Sequence, residues 1–226
     1  MIGSCGPHTI LRALFANQNA HTHHYLQLLL TINDTEDDSF DRGTLPHELA
    51  ALSRSFPLSN LADLKDEIWP RLRDAMPRSS VARHCIDIYY QNGSWLYDVI
   101  PRDELEDTVV SLVYPGSGED PSIDDVSPHG LGMLLLIIAL GHALDINREA
   151  YALEGVDAYQ LARIALSVDS VLDHPTMNAC RATFLMTWYL GFCDQPAAIT
   201  MAYNLLGLTA QLCHSVSKTY LLSACS

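Results

Sequence analysis

The sequence contains three pairs of neighbouring side chains that could carry out proton-transfer or nucleophilic chemistry. These pairs are His142 with Asp145, Asp173 with His174, and Cys213 with His214. A histidine beside a carboxylate can act as a general base, and a thiol beside an imidazole can act as a nucleophile. None of the pairs, however, belongs to a recognised catalytic motif.

A structural interpretation accounts better for these residues. His142 lies on a strongly apolar stretch, which favours a core histidine bonded to a carbonyl group. Side chains at successive helix positions point about 100 degrees apart, so the adjacency of Cys213 and His214 argues against a nucleophile and base pair. His21, His23 and His24 lie in a polar segment without a metal-binding motif such as HExxH, and are interpreted as solvated.

Motifs for hydrolysis, phosphate binding and zinc binding are absent from the sequence. The GSG at 116–118 is interpreted as a turn, and no CxxC pair occurs. We therefore assign no catalytic, cofactor-binding or metal-ligating residue, and predict that the chain is not an enzyme. The cysteines are predicted to be reduced and mostly buried: Cys5, Cys85, Cys180, Cys193, Cys213 and Cys225.

The net charge is strongly negative. Thirteen Lys and Arg residues oppose 27 Asp and Glu residues, which gives −14 and disfavours direct contact with a nucleic-acid backbone. The basic residues between 65 and 83 are interpreted as charge balance: Lys65, Arg71, Arg73, Arg78 and Arg83. The first residues lack the pattern of a signal peptide, so we expect an intracellular protein.

The stretch from Ser127 to Asp145, SPHGLGMLLLIIALGHALD, is the most continuously apolar in the chain. Its length is too short for a membrane span, which needs about 20 apolar residues, and predicts a buried core helix. Ser127 is predicted as its N-cap, with Pro128 in the first turn.

Helical periodicity recurs along the rest of the chain. It predicts helices within Pro7–Ile32, from Pro46 to Phe56, after a Ser59 cap, from a Ser79 or Ser80 cap to Tyr90, from Pro101 to Tyr114, at Glu149–Val168, at Thr176–Phe192, and around Met201 to Leu212. Short connections force neighbouring helices to run antiparallel. The fold class is therefore predicted as all-α, with stacked antiparallel helical hairpins in an irregular bundle.

Apolar side chains are also expected at particular places in this bundle. Leu105, Val109, Leu112 and Val113 form the predicted inner stripe of one helix, and Trp95 with Leu96 is predicted to pack in the segment before it. Any ligand pocket is expected beside the Thr176–Phe192 helix. The side chains that could line it are Met186, Trp188, Tyr189, Phe192, Met201 and Tyr203, but such side chains at helical spacing are more often core residues, and none is assigned to a ligand.

The order of the helices resembles a known family. The segments SPHGLGMLLLIIALGHALD, AYQLARIALSV, HPTMNACRATFLMTWYLGFCD and AYNLLGLTAQLCHSV are similar to the fungal transcription-factor regulatory domain, the middle homology region of zinc-cluster regulators. The upstream segment IPRDELEDTVVSLVY fits as well. The resemblance covers 45–216, after an N-terminal helical and acidic linker region at 1–44. A domain boundary at 115–128 is possible in this pattern, and 217–226 is a divergent tail.

This resemblance implies a nuclear transcription regulator. In that family a separate cluster of six cysteines holds two zinc ions and contacts DNA, and no cysteine spacing in this chain matches it. Zinc and DNA are thus expected only through such a cluster. The expected partners are proteins or a second copy of the chain, with no membrane. The alternatives are a small helical ligand-binding protein or enzyme without a motif-encoded site, and a non-functional fragment.

Overall fold

Helices form the regular structure of the chain. The computed structural model describes residues 43–116, 118, 120–147, 152–193 and 196–224, and contains no strand within them. The helices are α1 (His47–Ser53), α2 (Lys65–Asp74), α3 (Ser79–Asn92), α4 (102–113), α5 (Pro128–Leu144), α6 (Leu153–Val168), α7 (Met177–Gly191) and α8 (Pro196–Ala224). A 3-10 turn, Ala62–Leu64, precedes α2. The all-α class is confirmed.

Helix α5 is the centre of the bundle. All residues from His129 to His142 are buried, because α3, α6 and α7 pack around the helix. The hydroxyl of Ser127 accepts a hydrogen bond from the Gly130 N–H at 3.1 Å, and Pro128 occupies the first turn. The predicted core helix and its cap are confirmed.

Two helical hairpins build most of the core. Helices α5 and α6 form the first, and α7 and α8 form the second, which packs on α5 through α7. Thr176 caps α7 by accepting a hydrogen bond from the Ala179 N–H at 3.1 Å. Helix α8 runs past Val216 to Ala224, so its helical part extends beyond the segment that resembles the family.

Some predicted helix starts were wrong, and the predicted inner stripe of α4 is confirmed for Leu105, Val109 and Val113 but not for Leu112. Ser59 does not cap α2, which follows the 3-10 turn, and α3 already begins at Ser79 without a side-chain cap. A π-helical segment, Glu106–Val110, lies within α4. Because each π turn holds an extra residue, the face that follows is rotated: Val110 is buried and Leu112 is exposed.

The segment between α3 and α4 also differs from the prediction. Trp95 is 77% exposed and Leu96 is also exposed, whereas Ile100 is buried. The indole N–H of Trp95 donates to the Asn92 carbonyl at 2.8 Å, which holds the ring over the end of α3 and not in the core. Local apolar composition could not reveal this, because the exposure of a side chain depends on tertiary packing.

The long loop between α4 and α5 is anchored to α2 and to the connection between α2 and α3. Ile123 and Val126 are buried, and the indole N–H of Trp69 in α2 donates to the Ile123 carbonyl at 2.9 Å. Tyr114, at the start of the loop, donates to the Pro77 carbonyl at 2.8 Å. These contacts hold the loop against the same compact unit as the helices.

Charged side chains on the early helices balance one another. Arg71, Arg73 and Arg83 form ion pairs with Glu48, Asp74 and Glu106. The charge-balance interpretation is confirmed for these three arginines. No helix in the described ranges is both long and apolar enough to cross a membrane. The predicted helix within Pro7–Ile32 and the histidines His21, His23 and His24 lie outside the described residues.

Candidate functional site

The first predicted pair is rearranged by the tertiary structure. Asp145, at the end of α5, accepts hydrogen bonds from the backbone N–H of Asn147 at 3.0 Å and contacts His84 Nε2 of α3 at 3.2 Å. The Asn147 hydrogen bond, followed by the one from His84, lowers the pKa of Asp145. His142 is buried on α5, next to Gly155 of α6. These contacts of Asp145 fix the end of α5 against α3, so we assign the residues a structural role.

The second pair belongs to a hydrogen-bonded cluster at the α6–α7 connection. His174 Nδ1 lies 3.1 Å from the carboxylate of Asp169, not of Asp173. The buried His129 of α5 donates from Nε2 to the Asp169 backbone carbonyl at 2.7 Å, and its Nδ1 lies 2.8 Å from the Thr176 hydroxyl. The cluster therefore joins the start of α5 to the cap of α7.

Cys180 and Cys193 are not activated as nucleophiles. Burial, followed by a hydrogen bond with Cys213, raises the pKa of the Cys180 thiol to about 12, and burial raises the pKa of Cys193 to about 11. Such thiols stay protonated near neutral pH, and the thiolate is the reactive form. Cys213 and its neighbour His214 are both exposed on α8, which corrects the expectation of a buried Cys213.

An apolar cavity of about 310 Å³ lies between α6, α7, α8 and the turn at 56–58. We call it the apolar cavity; its lining residues are Phe56, Pro57, Leu58, Tyr159, Arg163, Leu172, Met186, Met201, Asn204, Leu205 and Leu208. Its volume is at the lower end of the range of about 300–1,000 Å³ typical of small-molecule pockets. The cavity lies beside α7, where any pocket was expected, and Met186 and Met201 are among the side chains that line it.

Other residues considered for the pocket lie elsewhere. Tyr189 is buried and its ring stacks on that of Tyr159 at 4.8 Å, so it supports the wall from behind. Trp188 packs against Tyr97 and Phe192, and Tyr203 is exposed on α8. Sequence reasoning missed Arg163, although it is the one charged residue in the stretch 158–168 and so carried a detectable signal.

A second, larger cavity of about 530 Å³ lies beside α1, α2 and α6. Its charged groups already have partners in the protein, and Asp74 pairs with Arg73. Arg71 pairs with Glu48, and Asp157 accepts hydrogen bonds from the backbone N–H groups of Thr44 and Leu45. The polar residues of this cavity therefore hold the backbone at 44 and 45 against α6, and this structural role accounts for them.

Aromatic side chains form a partly exposed surface at the α3–α4 connection. We call Trp95, Leu96, Tyr97 and Phe192 the aromatic surface; all four are exposed. Tyr97 makes edge contacts with Phe184 at 5.2 Å and Trp188 at 5.4 Å, which fix it against α7. A rigid aromatic surface of this kind is typical of protein interfaces.

Metal binding has no support among the described side chains. Within the described ranges, no three His, Cys, Asp or Glu residues converge as a metal ion requires. The described residues thus do not fit the two-zinc cluster of six cysteines that the family resemblance implies.

The chain is similar to a distantly related protein of fission yeast. An uncharacterized transcriptional regulatory protein of Schizosaccharomyces pombe (strain 972 / ATCC 24843) is 24% identical over 144 residues, which are 62% of this chain and 18% of that protein. The chain therefore aligns with less than a fifth of its relative's length. No family model and no solved structure matches the chain.

Proposed function

We propose that this chain is a regulatory and interaction module of a transcription regulator of the fungal zinc-cluster type. The observation that carries the proposal is the similarity over 144 residues to a transcriptional regulatory protein. The helical order of 45–216, which resembles the middle homology region, supports the finer assignment. The module acts in the nucleus and without catalytic residues.

The negative charge of the chain supports a role in which these helices do not contact DNA themselves. A net charge of −14 opposes association with phosphates, so DNA contact in this proposal belongs to a separate zinc cluster and not to these helices. The module then controls how that cluster and an activation segment are presented to their partners. We expect the isolated chain not to bind DNA at physiological salt, and a mobility-shift titration checks this.

Protein partners or a second copy are the proposed binding partners. One face of α8 exposes Ile199, Tyr203 and Leu206, and α8 carries no Asp, Glu, Lys or Arg from Pro196 to Ser217. Two copies of this acidic chain repel one another least when they meet through surfaces that carry no charge. This face is therefore the proposed self-association surface, and the aromatic surface is proposed for partners of other kinds.

A reporter assay tests the regulatory function. The chain is fused to a heterologous DNA-binding domain in a fungal reporter strain, and we expect the fusion to change transcription of the reporter. Trp95→Ala should reduce this effect, because it removes the most exposed ring of the aromatic surface. Ile146→Ala is the matched control, since Ile146 is 89% exposed but lies outside that surface. A wild-type fusion that leaves transcription unchanged contradicts the proposal.

Ligand binding is a second candidate function. It is favoured by the apolar cavity, whose wall is formed mainly by apolar side chains from three helices. A screen of small apolar compounds by thermal shift tests it, because a ligand that binds only the folded state raises the melting temperature. A screen in which no compound stabilises the chain counts against this candidate.

A further inference from the structure

We infer that two copies of the chain associate through α8 in an antiparallel arrangement, with a two-fold axis midway between Leu206 and Ala210. This inference rests on the self-association proposed above and names how the two copies meet. It follows from three features of the exposed side of α8: the spacing of its side chains, their lack of charge and the order of their sizes.

Exposed side chains of α8 follow a heptad spacing. They recur at alternating intervals of four and three residues, and we call them the α8 stripe: Ile199, Tyr203, Leu206, Ala210, Cys213 and Ser217. Side chains at these intervals lie along one side of a helix, and this is the spacing that joins two helices in a coiled coil. The buried side chains form a different stripe, which faces the bundle: Ala198, Leu205, Thr209, Leu212 and Val216. Helix α8 therefore keeps the α8 stripe outside its own core.

The α8 stripe carries no charge in a strongly acidic chain. No Asp, Glu, Lys or Arg occurs from Pro196 to Ser217, whereas the whole chain carries −14. A basic partner would find no carboxylate on this stripe to pair with. A second copy instead presents the same uncharged surface, and association covers the apolar side chains of Ile199, Tyr203 and Leu206, which are 67%, 79% and 47% exposed. The occupant that matches this surface is thus a second copy.

The sizes of the side chains decide the direction of the two helices. The first half of the α8 stripe holds the large residues and the second half holds the small ones. An antiparallel pair places each large residue opposite a small one: Ile199 with Ser217 of the partner subunit, Tyr203 with Cys213 of the partner subunit, and Leu206 with Ala210 of the partner subunit. A parallel pair would place tyrosine against tyrosine near one end and serine against serine at the other. Close packing favours the antiparallel pair, because it leaves neither a clash nor a gap.

The length of the α8 stripe limits the strength of the dimer. From Ile199 to Ser217 the helix rises about 27 Å, at about 1.5 Å per residue. One helix pair of this length is small beside the roughly 800 Å² that each partner buries in a standard interface. We therefore expect a dimer that dissociates on dilution. Higher ionic strength should favour the dimer, because salt screens the repulsion between two acidic chains.

Disulfide cross-linking of the purified full chain tests the arrangement. Tyr203→Cys places a thiol opposite Cys213 of the partner subunit in an antiparallel pair, but opposite its own copy in a parallel pair. Isotopically labelled and unlabelled copies are mixed, equilibrated and oxidised with oxidised glutathione, and peptide mapping identifies the links between chains. We expect links between positions 203 and 213. Links that join each position to its own copy overturn the antiparallel arrangement and leave the self-association surface intact.

A second cross-linking variant covers the case in which Tyr203→Cys weakens the dimer too far. It combines Ile199→Cys with Ser217→Cys, at the two ends of the α8 stripe, and should link position 199 of one chain to position 217 of the other. A disulfide needs Cα atoms within about 7 Å of each other, so these links report the direction of the helices. Links from 199 to 199 and from 217 to 217 contradict the antiparallel arrangement.

A charge substitution locates the interface. Leu206→Glu places two carboxylates near the two-fold axis and should abolish the dimer in sedimentation equilibrium. Gln211→Glu is the matched control, since Gln211 is exposed on α8 outside the α8 stripe, and should preserve the dimer. A dimer that survives Leu206→Glu overturns the inference. A wild-type chain that stays monomeric overturns both the arrangement and the proposed self-association surface, whereas the regulatory function is measured separately by the reporter assay.

Discussion

Gly141 of α5 lies directly against the backbone of Cys85 in α3. A Cβ atom at position 141 would come within 2.2 Å of the Cys85 carbonyl oxygen and 2.7 Å of its Cα. Backbone atoms of a packed helix cannot move aside as a flexible side chain can. The absence of a side chain at this position therefore determines how closely the central helix and α3 approach.

Gly141→Ala is expected to destabilise the protein. The added methyl group forces α3 and α5 apart, and overpacking of this kind costs about 1–3 kcal/mol of the free energy of unfolding. Gly207→Ala on α8 is the matched control, because nothing lies within 4 Å of a Cβ there. It should instead stabilise the protein by up to about 1 kcal/mol, since alanine favours a helix. Urea unfolding of both variants measures the difference, and equal effects would contradict the close approach of the two helices.

Thr176→Ala is expected to destabilise the fold more than Ser127→Ala. Both variants lose an N-cap hydrogen bond, worth about 1 kcal/mol. Thr176 additionally contacts the buried His129, and leaving a buried polar group without its partner costs a further ~1–3 kcal/mol. Thr176→Ser keeps the hydroxyl and should recover most of the loss. Equal melting temperatures for Thr176→Ala and Ser127→Ala would show that the His129 contact adds nothing.

Asp145 is expected to make stability depend on pH in the acid range. Its pKa is lowered in the folded state, first by Asn147 and then by His84. Its contribution is therefore complete above the ordinary aspartate value of about 3.9, and is lost as the pH falls through the lowered folded value. The difference in unfolding free energy between wild type and Asp145→Asn should shrink below about pH 4. A difference that stays constant through this range contradicts the assignment.

Tyr203→Lys is expected to weaken self-association. Tyr203 is 79% exposed at the centre of the uncharged α8 face, and a lysine there places a charge on both sides of the proposed interface. Sedimentation velocity over a range of concentrations compares this variant with wild type and with Ile146→Lys, which changes an exposed side chain away from α8. Wild-type protein that stays monomeric at all concentrations argues against this surface.

The outcomes for individual elements show where sequence reasoning succeeds. Helix α5 was predicted with its cap because Ser127, Pro128 and a continuous apolar run are local signals, and none of them depends on what packs nearby. The same holds for the position of α7, although its cap by Thr176 was not predicted. The start of α2 and the place of Leu112 on the inner face of α4 were predicted wrongly, because a 3-10 turn and a π segment change the register without a strong local signal.

The candidate site shows the same division. Its position beside α7 could be predicted, since Met186 and Met201 lie on helices joined by a short connection. The contribution of Phe56, Pro57 and Leu58 could not, because they are about a hundred residues or more from the rest of the wall along the chain. Arg163 was recognisable as an isolated charge in an apolar helix, but its place in a cavity wall depends on α8.

The sequence alone thus determined the all-α class, the central helix and the charge of the protein, because periodicity, capping residues and composition act over a few neighbouring residues. Only the tertiary structure decided which side chains meet. It paired Asp145 with His84 and His174 with Asp169, left Trp95 exposed and buried Arg163. The physical reason is that helix packing brings together distant positions, and small changes in register or in the distance between helices decide which side chains are buried.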